Sequence, residues 1–284
     1  MKQRMITGAI FAILVIAVLF FSHTFVYPAV ILLLSLIGVS EMLRCIGTWK
    51  EPLLCIPSML YAAIGPVLAI QYRYGVLMAA TFGYLFILLF MLVFAHEKVQ
   101  TERVCTTYTM VVYITVCFVC LIRLRYVTVE TGTDAGRMVG QYIYLLVFIA
   151  AWITDTFAYF TGSFFGKHKL CPKISPKKTV EGSLGGISFC ILAFLIYGAA
   201  LSHMFSLTPN YAGLALVGLF MSVLSQIGDL LASVIKRTYG VKDYGKLFPG
   251  HGGVLDRFDS VLLLAPFLLV LVEDAQFLAL LFRY

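Results

Sequence analysis

Apolar runs close to twenty residues long recur from one end of this 284-residue chain to the other. Each is long enough to cross the hydrocarbon core of a bilayer as a helix. Lipid offers no partner to backbone N–H and C=O groups, so a spanning segment must bond them internally, which favours helices over open strands. Nine candidate spans follow, at about 5–22, 27–44, 53–71, 74–95, 104–123, 138–162, 184–203, 210–233 and 254–281. The expected fold is therefore an all-α polytopic membrane protein with about nine transmembrane helices. Hydrophobic residues make up 61% of the chain and charged residues 12%. A soluble domain is nearer half and a quarter, so a soluble enzyme is excluded. The basic start, Met1-Lys2-Gln3-Arg4, and the run behind it resemble a signal peptide, but no A-x-A-like cleavage site follows and further spans come at once. The run is read as the first helix.

Lys and Arg set the orientation. With the N-terminus in the cytoplasm, sixteen of them fall on the cytoplasmic side. Five fall outside: Arg73, Arg123, Arg125, Arg137 and Arg283. The positive-inside rule favours this arrangement, and an odd number of spans then leaves the C-terminus outside. No polar linker divides the chain into soluble domains. It reads as an N-terminal set of about five spans over 1–135 and a C-terminal region over 136–284. The C-terminal region carries two basic cytoplasmic loops, 163–182 and 236–253.

The chemistry is expected in that C-terminal region. An acid deep in a span costs about 2.5–3.5 kcal/mol on insertion scales and marks a functional site by default. Asp229 is such an acid. Ser222, Ser225, Asp229, Ser233 and Lys236 recur at three- and four-residue steps, which stacks them on one helix face. That stripe must face protein or water. Asp256 stands just inside the last span, with Asp259 one turn on and Arg257 pointing elsewhere. Two carboxylates suit Mg²⁺, which takes one or two of them and leaves its other positions to water and substrate phosphate. Satisfying a neighbouring helix would account for Asp229 alone, but less well for two acids bracketing one basic loop.

That loop contains Lys236, Arg237, Lys242 and Lys246 among glycines, and Gly252-Gly253 leads into a helix start whose free N–H groups favour anions. The other loop follows Asp155, a further acid in an apolar run. It carries Lys167, Lys169, Lys173, Ser175, Lys177, Lys178 and Thr179, with Glu181 in or near the first turn of the next helix. A polybasic strip alone could instead contact anionic lipid headgroups, the less favoured of the two readings.

The run from Ser233 to Asp259, SVIKRTYGVKDYGKLFPGHGGVLDRFD, resembles the signature of the phosphatidate cytidylyltransferases, or CDP-diacylglycerol synthases. The match rests on Ser233, Lys236, Arg237, Lys242, Asp243, Gly245, Phe248, Pro249, His251, Gly252, Gly253, Asp256, Arg257 and Asp259. Asp155, Ala158, Tyr159 and Gly162 upstream also resemble that family, as does ISPKKTVEG from Ile174 to Gly182. Ser163 stands where many members carry a basic residue. The detailed resemblance covers the C-terminal half.

The resemblance implies transfer of CMP from CTP to phosphatidate, giving CDP-diacylglycerol and pyrophosphate for phospholipid synthesis. It implies Mg²⁺ on Asp229 and Asp256, with or without a K⁺ beside it, and a homodimer. Asp229, Asp256, His251, Lys236 and Arg237 are expected to be catalytic. For His251, orienting or hydrogen-bonding a phosphate is favoured over a general-base role, because a lipid phosphate is already largely ionised. Substrate binding is expected of Asp155, Lys167, Ser175, Lys177, Lys178, Thr179, Glu181, Ser233, Lys242, Asp243, Lys246, Gly252, Gly253, Arg257 and Asp259. The expected partners are CTP, phosphatidate and membrane lipid, with no nucleic acid, and the expected location is the bacterial cytoplasmic (inner) membrane. The rivals among membrane enzymes are a CTP-dependent isoprenoid-alcohol kinase, which the full signature through Asp259 argues against, and a cytidylyltransferase for ether lipids. An ion-coupled transporter is disfavoured because the acids cluster at one end of their spans rather than at the midplane.

Overall fold

The computed structural model describes residues 13–70, 74–127, 142–205, 208–248, 250, 252–273 and 281–283. Four helices come first: α1 (Val26–Cys45), α2 (Pro52–Ile70), α3 (Tyr74–Phe94) and α4 (Thr101–Arg125). After α5 (Leu145–Phe165) come two short strands, β1 (Lys169–Cys171) and β2 (Ser175–Thr179). Then follow α6 (Val180–Phe205), β3 (Thr208–Pro209), α7 (Tyr211–Thr238), α8 (Leu255–Glu273) and β4 (Phe282–Arg283).

Among the described residues, α1 to α7 supply seven helices long and apolar enough to cross a membrane. They correspond to seven of the nine expected spans, and the chain is an integral membrane protein. The first expected span lies partly outside the described residues, with 13–20 helical. The ninth falls on α8, whose opening turns carry Asp256, Arg257 and Asp259.

Helix α7 runs to Thr238, past the expected end at 233. No breaker intervenes before Gly240, which takes a positive φ of 67°. Lys236 and Arg237 therefore stand on the last helical turn rather than in a loop. The basic stretch 163–182 also differs from a plain loop. Its strands β1 and β2 pair antiparallel, with Lys169 opposite Thr179 and Cys171 opposite Ser175.

The chain forms two compact units. The first comprises Met1–Arg123 and Thr238–Phe258. Tyr27, Leu43, Leu54, Phe118, Leu121 and Ile122 are buried in it. The Tyr27 hydroxyl donates to the Leu121 carbonyl at 3.1 Å, and Ser35 donates to the Ala62 carbonyl at 3.2 Å. Gly38 on α1 admits its neighbours closely, since a Cβ there would stand 3.1 Å from Leu255 Cδ2 and 3.5 Å from the Phe118 ring. Small residues serve helix contacts in lipid because apolar burial adds little drive there. Met78, Phe82, Phe86, Phe90 and Phe94 form an exposed stripe along α3 at four-residue steps, the surface a lipid-facing helix presents.

The second unit comprises Leu124–Arg237 and Asp259–Tyr284. Helices α5 and α6 meet through glycine. A Cβ on Gly182 would lie 2.6 Å from the Ala158 carbonyl, and one on Gly186 2.9 Å from that of Thr154. Phe157 and Phe189 stack at 3.9 Å between ring centroids. Strand β3 pairs with β4, Thr208 opposite Arg283. This joins the α6–α7 connection to the C-terminal strand, two segments that the charge pattern assigns to one side.

Candidate active site

Helix α7 supplies the first component. Its polar stripe faces protein: Ser222 and Ser225 are buried, Asp229 and Ser233 half-buried. Ile227, Leu231 and Val234 on the other side are exposed, as suits contact with lipid. The Thr154 hydroxyl of α5 donates to Ser222 Oγ at 2.9 Å.

Asp229 forms an ion pair with Lys178 of β2. Successive strand residues point to opposite faces, so Lys177 is exposed while Lys178 is half-buried. The hairpin is anchored at its base. Glu181, in the first turn of α6, accepts the N–H groups of Lys167 and His168 at 3.0 and 3.2 Å. It also pairs with His168 Nδ1 at 2.6 Å. Thr179 Oγ1 accepts the Gly182 N–H at 3.1 Å and so caps α6. Thr179 and Glu181, expected to bind substrate, here hold the strand that presents Lys178.

Near the start of α8, Asp259 lies within electrostatic reach of Asp229, Asp155 and Lys236. The Ser260 hydroxyl donates to Asp155 Oδ2 at 3.4 Å. Gly228 allows α7 to approach here, because a Cβ would stand 2.8 Å from the Asp259 carbonyl oxygen and 3.2 Å from Ser260 Cα. Lys178 and Lys236 thus accompany three acids within this unit, and such a collection calls for cations. No group of three or more His, Cys, Asp or Glu side chains among the described residues is close enough to hold a metal ion by itself. Mg²⁺ does not need one. Hard carboxylate oxygens, used one or two at a time with substrate phosphate, are its usual donors, and the residues present fit it.

The first unit contains the rest of the signature. Asp256 Oδ2 accepts the N–H groups of Tyr244 at 2.8 Å and Gly253 at 2.9 Å. Gly252 takes a φ of 84°, where a side chain would be strained, and a Cβ on it would lie 2.6 Å from Asp256 Oδ2. Phe248 N–H donates to the Gly252 carbonyl at 2.9 Å, which closes the loop. Lys242, Asp243, Lys246 and Arg257 are exposed, and Arg237 at the end of α7 is exposed as well. Pro249 and His251 lie outside the described residues. Ser175 is half-buried and Lys167 exposed.

The N–H groups at the start of α8 differ from the expectation of a phosphate cradle. Those of Val254 and Leu255 go to the two carboxylate oxygens of Glu41, at 3.0 and 2.9 Å. With Gly253 directed at Asp256, three successive N–H groups are taken by side chains. The physical reason is mutual need: a helix start carries orphan donors, and a buried carboxylate must find some. Glu41 is the residue that the sequence reading passed over. Its signal was available, because it is an acid inside an apolar run.

Comparison with known proteins gives a consistent picture. A family model described as "Cytidylyltransferase family" matches residues 2–274. The phosphatidate cytidylyltransferase of Bacillus subtilis (strain 168) is 33% identical over 277 residues, 96% of this chain and 97% of that protein. The phosphatidate cytidylyltransferase of Staphylococcus haemolyticus (strain JCSC1435) is 42% identical over 154 residues, 54% of this chain and 58% of its own.

Proposed function

Because the chain belongs to the cytidylyltransferase family, we propose that it transfers CMP from CTP to phosphatidate, forming CDP-diacylglycerol and pyrophosphate. A non-bridging oxygen of the lipid phosphate attacks the α-phosphorus of CTP. The bond from that phosphorus to the bridging oxygen breaks, and pyrophosphate leaves with the electron pair. An ionised lipid phosphate needs no general base, so the protein has mainly to position two anions and offset their charge. Lys178 and Lys236 are suited to the phosphates, and the exposed Lys177, Lys242 and Lys246 to drawing them in. Asp229 and Asp256 are the proposed Mg²⁺ ligands, with or without an accompanying K⁺. When bound, the ion would screen the repulsion between triphosphate and lipid phosphate.

The observation that carries this reading is the company Asp229 keeps: a lysine from a basic hairpin, with Asp155, Asp259 and Lys236 in the same unit. Nucleotide is cytoplasmic, so the site belongs at the cytoplasmic face of the bacterial inner membrane, as the charge pattern suggests. A homodimer completes the proposal. The test is pyrophosphate release from CTP by the purified protein in detergent, with and without phosphatidate and Mg²⁺. Release that needs all three supports the assignment. Release with a lipid alcohol in place of phosphatidate, or none at all, refutes it.

A further inference from the structure

Glu41 lies in the N-terminal helix α1, far along the chain from every residue of the signature, and only 3% of it is exposed. Its two oxygens divide the work. Oε1 accepts the N–H of Val254 and Oε2 that of Leu255. The approach requires glycine on both sides. A Cβ on Gly245 would lie 2.8 Å from Glu41 Cδ, and one on Gly253 2.5 Å from Glu41 Oε2. Two of the signature's glycines are therefore needed to admit this carboxylate.

The same turn is held by Asp256, through Gly253 and Tyr244. A carboxylate bonded to backbone N–H groups at a helix start makes strong, charge-assisted bonds, helped by the helix dipole. Glu41 thus fixes the direction in which α8 begins, and Asp256 rides on the first turn of that helix. We infer that Glu41 is a positioning residue for the nucleotidyl transfer: it orders the turn from Gly252 to Leu255 and sets the aim of Asp256 without touching substrate. This rests on the reaction proposed above. It assigns an active role to α1, which otherwise reads as one of a set of apolar spans.

The test uses the full-length protein and two substitutions. Glu41→Gln keeps the shape but turns an NH2 group toward one of the two N–H donors. Gly245→Ala pushes against the carboxylate from the other side. Amide exchange measured by mass spectrometry, without nucleotide or metal, should rise roughly tenfold in the segment 252–256 of Glu41→Gln and stay unchanged elsewhere. Each substitution should lower kcat/KM roughly 10- to 100-fold, the usual cost of removing an outer supporting group. The double variant should be little worse than the poorer single, since both act through one contact.

Unchanged exchange in that segment, acceleration throughout the chain, or losses that multiply in the double variant would each overturn the inference. A wild-type protein that forms no CDP-diacylglycerol would instead refute the reaction, and the exchange measurement would still decide whether Glu41 orders the turn.

Discussion

Gly228→Ala tests how finely the contact between α7 and α8 in the second unit is set. The added Cβ would stand 2.8 Å from the Asp259 carbonyl oxygen, 3.2 Å from Ser260 Cα and 3.5 Å from Leu263 Cβ. The first two are backbone atoms, so no rotamer change relieves them. Restoring ordinary contact needs the helices to part by about 0.5 Å, which is about the tolerance within which catalytic groups must be held. A displacement of about 1 Å can cost about 100-fold in rate, so half of that is expected to cost roughly tenfold in kcat. Stability should move less. Overpacking costs about 1–3 kcal/mol, and alanine returns about 1 kcal/mol over glycine in helix propensity. The net loss is about 0–2 kcal/mol. Steady-state turnover and thermal unfolding in the same detergent separate the two effects, with Ile227→Ala as the control, since Ile227 is 47% exposed. Wild-type kcat in Gly228→Ala would refute the reasoning, and so would a loss that merely tracked the fraction of folded protein.

Asp229→Asn should give an inserted, folded protein with turnover reduced at least about 100-fold, in line with loss of one charge-stabilising group. Wild-type activity at saturating Mg²⁺ would remove Asp229 from the site. Lys178→Ala should raise the KM for a phosphate-bearing substrate and lower kcat, because Lys178 faces Asp229, whereas Lys177→Ala should affect KM alone. Equal kinetics for the two, each normalised to inserted protein, would contradict the strand geometry. Chelation with EDTA should abolish turnover and leave helix content unchanged by circular dichroism, with activity restored by Mg²⁺. Turnover that survives exhaustive chelation would rule out the proposed cofactor.

Much of the helical framework was legible because its cause is local. Seven of the expected spans are helices long and apolar enough to cross a membrane, with ends shifted by a few residues where no glycine or proline stops the turn. The polar stripe on α7 was legible for the same reason, since Ser222, Ser225 and Asp229 share a face by periodicity alone. The hairpin was hidden. Strands of three and five residues, KLC and SPKKT, carry no readable alternation, and their pairing depends on a clamp from Glu181. Without the hairpin, nothing distinguished Lys177 from Lys178.

By itself the sequence determined the membrane-spanning helices, the polar face of Asp229 and, through its signature, the family. Each of these follows from neighbours within a few turns or from a contiguous run of residues. Only the tertiary structure decided where the donors and acceptors go. Lys178 meets an acid 51 positions away, and Glu41 meets N–H groups 213 and 214 positions away. A buried charge takes whichever partner the packing of helices brings to it, and that packing is a property of the whole chain.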